Sequence, residues 1–151
     1  MNKRHLVIGL SIIAAGLTGY YAYAVNAIPA HDPLARYREA MRQDTQGGKT
    51  PEETLRLFVS ALREGNIELA SAYFILDADL GRNGWFARLH DIKKNDMLLT
   101  MADDIEKNAK KLPASYEGDA GYEMLNKDGT VGVVIDMEFN PFSGVWKLQS
   151  F

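Results

Sequence analysis

The stretch YEGDAGYEMLNKDGTVGVVIDMEF, residues 116–139, decides the fold. Tyr116, Gly118, Ala120, Tyr122 and Met124 alternate with Glu117, Asp119 and Glu123. Further on, Val131, Val133, Ile135, Met137 and Phe139 alternate with Gly132, Val134, Asp136 and Glu138. A period of two is that of a half-buried strand, and Asn126-Lys-Asp-Gly129 between the runs has the composition of a hairpin turn. Asn140-Pro-Phe-Ser-Gly144 turns the chain again, and 145–151 predicts a third strand with Trp146 and Leu148 inward.

Upstream of this stretch the period is 3.6. Thr50-Pro51-Glu52-Glu53 is a helix start: Thr50 caps, Pro51 lacks an N–H that would be orphaned anyway, and Glu53 closes a capping box. Leu55, Phe58, Val59 and Leu62 then form one stripe. Gly65-Asn66 ends this helix, and Asn66 caps a second one that presents Leu69, Tyr73 and Phe74. The polar loop Asp77 to Gly84 opens like a calcium loop, but Arg82 and Arg88 stand where such a loop needs its glycine and its bidentate glutamate. It reads as a turn in which Gly81 and Gly84 take positive φ. Trp85, Phe86 and Leu89 belong to a short helical segment. A longer helix is predicted from Asn95 to Leu112, with Leu98, Met101, Ile105, Ala109 and Leu112 inward and Pro113 as its stop. The expected fold class is α+β, with helices on one face of a small three-stranded antiparallel sheet.

Further upstream the chain changes character. Leu6 to Val25, LVIGLSIIAAGLTGYYAYAV, carries no charge and is long enough as a helix to span a bilayer. Tyr20, Tyr21 and Tyr23 lie at its far end, where aromatic rings favour the headgroup level. Residues 1–25 are read as a transmembrane anchor. The alternative is a secretory signal cleaved after Ala24 or Ala27, with Lys3 and Arg4 as its basic region. The signal-like start places the remainder outside the cytoplasm. Residues 26–49 read as a stalk with a short helix started by Asp32-Pro33, on which Leu34, Tyr37 and Met41 share a side and which Gln46-Gly47-Gly48 breaks; whether it packs on the domain is left open. The domain proper is 50–151. Ser11, Ala15 and Gly19 form a small-residue stripe of the kind that pairs two anchors into a homo-oligomer, though chance in a segment this rich in Ala and Gly is the preferred reading.

Composition limits the chemistry. With Lys3 and Arg4 set aside, the 17 basic residues fall to 15 against 20 acidic ones, a charge near −5 that disfavours nucleic acid and anionic lipid surfaces. Lys107, Lys110 and Lys111, the nearest approach to a basic run, suit a helix C-terminus. There is no cysteine, and His5, His31 and His90 lack metal-ligand spacing, so no metal or other cofactor is expected. His90-Asp91 reads as an exposed polar pair. No phosphate loop and no nucleophile elbow occur.

The residues TPEETLRLFVSALREGNIELASAYF (50–74) and GVWKLQSF (144–151) resemble the opening helix pair and closing strand of the cone-shaped nuclear transport factor 2-like superfamily, in the short form found in bacterial envelope proteins. The resemblance implies an α+β domain, and in the superfamily's enzymes a carboxylate base inside an apolar cavity. Here Trp85 to Leu112 reads as helix where such enzymes have more sheet, and Asp119, Asp136 and Glu138 fall on the face away from the core. Asp136 with Glu138 as a catalytic pair is the weaker reading beside two solvated acids. The expected function is therefore non-enzymatic: a membrane-tethered domain binding an envelope protein or peptide. The alternatives are a binder of a small apolar ligand, in a groove of Met97, Met101, Tyr116, Tyr122, Met124, Met137 and Trp146, and an isomerase- or hydrolase-like enzyme.

Overall fold

The structure, a computed structural model, describes residues 34–76, 82–114 and 117–151. The anchor, the Asp32-Pro33 helix start, most of the acidic loop with Gly81, and Tyr116 lie outside the described residues. Arg36 to Phe151 form one compact unit. Among the described residues there are five helices, α1 (Ala35–Gln43), α2 (Pro51–Arg63), α3 (Ile67–Ala72), α4 (Asn83–Lys94) and α5 (Leu98–Asn108), and four strands, β1 (Lys110–Lys111), β2 (Asp119–Leu125), β3 (Val131–Asn140) and β4 (Val145–Ser150). The strands pair antiparallel in the order β1-β2-β3-β4.

The α2 start forms as its sequence dictates. The Glu53 N–H donates to Thr50 Oγ1 at 3.1 Å, while the Glu53 carboxylate accepts from the Lys49 N–H at 2.7 Å, one residue further back than a standard capping box reaches. Asn66 Oδ1 caps α3 by accepting from the Leu69 N–H at 3.0 Å. The apolar stripe of α2 and the inner residues of α5 close over Ala120, Tyr122, Ile135, Met137 and Leu148 to make the core. Beside it stands an aromatic stack: Phe74 lies 4.2 Å from Trp85 ring to ring, Trp85 lies 5.2 Å from Phe151, and Phe58 meets Phe74 edge-on.

Several expectations are corrected. The sheet has four strands where three were expected, because the predicted long helix stops at Asn108. Ala109 is extended, and Lys110–Lys111 pair with Glu123 and Tyr122 of β2, so these lysines belong to a strand and leave only Lys107 on the helix end. The start of that helix shifts as well: Asp96, at φ +57°, breaks the chain between α4 and α5, and α4 is a full three turns rather than a short segment. Met97, predicted inward, stands at the α5 N-cap and is 54% exposed. Gly84 lies within the first turn of α4 rather than in a positive-φ turn.

The open question of the stalk is answered by α1 and the segment after it. Asn140, Val145 and Lys147 alternate with the core residues of β3 and β4, and all three are buried. Met41 covers this corner, its carbonyl accepting from Asn140 Nδ2 at 2.9 Å. A Cβ on Gly47 would collide with the Trp146 carbonyl oxygen, and one on Gly48 would come within 2.7 Å of the Thr54 nitrogen. The glycine pair thus lets the chain lie flat along β4, where the Trp146 N–H donates to the Gly48 carbonyl at 2.9 Å. Thr54, fully buried, takes a hydrogen bond from the Gly48 N–H and gives one to the Trp146 carbonyl.

Candidate binding site

A cleft of about 380 Å³ runs between α2 and α5. One α2 face supplies Glu52, Leu55, Arg56, Val59, Ser60 and Arg63, residues three and four apart that helical geometry places side by side. Ile105, Glu106 and Ala109 form the opposite wall, and Tyr122 of β2 lines the bottom. The middle of the cleft is apolar and its rims are charged.

The charges are mostly spent on each other. Lys111 Nζ meets Glu52 Oε1 at 2.5 Å, and this pair holds the Glu52 carboxyl down at about 2. Arg63 reaches Asp103 at 3.0 Å and Glu106 at 2.5 Å, and Lys107 meets Asp103 at 2.8 Å. Of the charged residues lining the cleft, Arg56 alone has no ion pair or hydrogen bond among the described residues.

Tyr122 is 5% exposed, and its buried hydroxyl stands beside the Glu52 carboxylate without making a hydrogen bond of normal geometry. An unmet buried hydroxyl costs about 1–3 kcal/mol, so such a group is a place where a ligand atom can be stabilised. Burial and the nearby Glu52 charge push the phenol well above its ordinary range. At neutral pH the phenol stays protonated and Glu52 stays ionised and paired. Neither is poised to exchange a proton, so the arrangement suits holding a ligand better than acid–base chemistry.

Comparison with protein-family models, curated proteins and solved structures finds no match. The site is therefore read from its own residues. Of the groove expected from the sequence, Tyr122 is the member that lines this cleft. Met101 and Met124 pack against the core, Met137 is wholly buried within it, and Trp146 lies against Phe139 at 5.7 Å between rings. Tyr116 lies outside the described residues, and Met97 is exposed. Asp136 takes a hydrogen bond from Ser150 Oγ at 2.7 Å, and Glu138 is solvated. No group of three or more histidine or acidic residues able to hold a metal ion occurs among the described residues.

A second polar cluster was not visible in the sequence. Lys147 is fully buried on β4, and its ammonium donates to Asp44 Oδ1 at 2.8 Å and to the carbonyls of Gln46 and Ala72, both at 2.7 Å. Arg82 pairs with the other Asp44 oxygen and donates from Nε to the Phe74 carbonyl at 2.6 Å. Burial pulls the Lys147 ammonium down to about 8 against the pull of Asp44. All three of its donors are committed, which makes it a staple between β4, α3 and the 44–46 segment rather than a nucleophile. Alternation alone places Lys147 facing solvent, and nothing local announces a partner as distant in sequence as Asp44.

Proposed function

We propose that this protein is a membrane-tethered, extracytoplasmic binding module of the nuclear transport factor 2-like kind. It holds an envelope protein or peptide in the α2–α5 cleft and catalyses no reaction. The observation that carries the reading is the cleft itself: apolar walls, charged rims and a buried Tyr122 hydroxyl that makes no hydrogen bond of normal geometry. The tether rests on the uncharged stretch from Leu6 to Val25, which lies outside the described residues; no helix among the described residues is long and apolar enough to cross a membrane.

Photo-crosslinking in cells tests it. A benzophenone side chain in place of Ser60, on the cleft wall, should capture one discrete partner, whereas the same group in place of Lys127, in the β2–β3 hairpin, should not. Equal labelling from both positions, or none from Ser60, removes the cleft from the function. A native mass spectrum of the full chain in mild detergent then reads the tether from the chain mass. An added small mass, with no polypeptide, would favour a small-ligand binder instead.

A further inference from the structure

Both ends of the α2–α5 cleft are bridged by ion pairs. Lys111 of β1 crosses one end to Glu52, and Arg63 crosses the other to Asp103 and Glu106 of α5. A polypeptide running through the cleft would have to break one of these bridges. A chain end would break neither.

What lies between the bridges is suited to a chain end that carries an acid. Arg56 sits one helical turn from Glu52 on the same α2 face, its guanidinium unspent among the described residues. A guanidinium offers a planar fork matched to a carboxylate. The Tyr122 hydroxyl makes no hydrogen bond of normal geometry, although the Glu52 carboxylate is beside it, and Leu55, Val59, Ile105 and Ala109 supply an apolar wall large enough for a side chain.

Resting on the binding-module reading above, we propose that the cleft takes the C-terminal end of its partner polypeptide. The last side chain, an apolar one, lies among Leu55, Val59, Ile105 and Ala109. Its carboxylate is held by Arg56 and accepts a hydrogen bond from the Tyr122 phenol. The Glu52–Lys111 and Arg63–Glu106 bridges neutralise the acids that would otherwise repel it.

The test uses the full chain in mild detergent and fluorescein-labelled tetrapeptide pools ending in Leu, Val, Phe or Asp, each as free acid and as amide, with anisotropy as the readout. Free acids with apolar ends should bind at least tenfold more tightly than their amides. Arg56→Gln should erase that discrimination. Tyr122→Phe should weaken the free acids severalfold without lowering the unfolding midpoint, since the hydroxyl it removes makes no hydrogen bond of normal geometry in the empty cleft. Acids and amides bound equally by the parent would overturn the chain-end assignment and leave the peptide-binding reading standing. No binding by any pool would overturn both. Decanoate bound while every pool is ignored would also overturn both and point to a lipid acid.

Discussion

Lys147 shows how much one residue can decide. A buried ammonium is tolerable only if paired and fully hydrogen-bonded, and Asp44 with two carbonyls meets that demand. Lys147→Met should cost about 3 kcal/mol, since it leaves Asp44 with Arg82 alone and the Gln46 and Ala72 carbonyls without a donor. The double variant Asp44→Leu with Lys147→Met should recover at least half of it, because Arg82 is 20% exposed and can turn to water. Urea denaturation of the two variants checks both outcomes. The sign of the pH effect follows from the direction of the shift. The folded chain releases this proton near pH 8 and the unfolded chain near 10.5, so the Lys147 contribution rises with pH between those values and is flat below. The difference in stability between parent and Lys147→Met should therefore change between pH 7.5 and 10.

Glu52 runs the other way. Its folded value near 2 lies below the ordinary 4.5, so its stabilising contribution is complete above pH 4.5 and is lost as pH falls toward 2. The pair is half exposed, which limits it to less than about 1 kcal/mol. Lys111→Gln should raise the Glu52 titration toward its ordinary range, as read by carboxyl NMR, and lower stability only slightly.

At the scale of elements, periodicity and caps were legible. Thr50, Pro51, Glu53 and Asn66 announce their helix ends because those groups act within one turn. The β2–β3 alternation survives because each inward residue meets the same core. What failed was the stretch from Asn95 to Leu112. An apolar spacing of three and four continues through Ala109 to Leu112, yet Lys110 and Lys111 leave the helix to pair with β2, and Lys111 reaches Glu52. Tertiary pairing there overrides local periodicity. Gly47 and Gly48 were read as helix breakers, and their packing role required knowing that β4 lies beside them. Gly47→Ala should cost about 2 kcal/mol or more through the collision with the Trp146 carbonyl, whereas Thr50→Ala, which removes only a cap, should cost about 1 kcal/mol. Thermal unfolding of the two variants side by side gives the comparison.

At the scale of the whole molecule, the sequence located an α+β fold and a core but not the limits of the folded unit, because Met41, Asp44 and Gly48 are held by Asn140, Lys147 and Trp146, near the far end of the chain. Tyr122 was legible as an inward tyrosine, while the cleft around it was not, since it needs α2, α5 and β1 to meet. A chain starting at Arg36 should unfold cooperatively with the same midpoint as the full protein. One starting at Lys49 loses Met41, Asp44 and the glycine pair, uncovers Lys147, and should melt at a markedly lower temperature by circular dichroism.

The outer side of β4 carries a wider consequence. Its Trp146 N–H and carbonyl are taken by Gly48 and Thr54, and its Leu148 N–H and carbonyl by Tyr73 and Ile75. At the opposite border stands β1, two residues long and both of them lysine. At Trp146 and Leu148 the outer side of β4 therefore offers no free backbone group on which a second copy can template itself. Along β4, the segments that fasten the fold thus also close that strand to one added from another molecule.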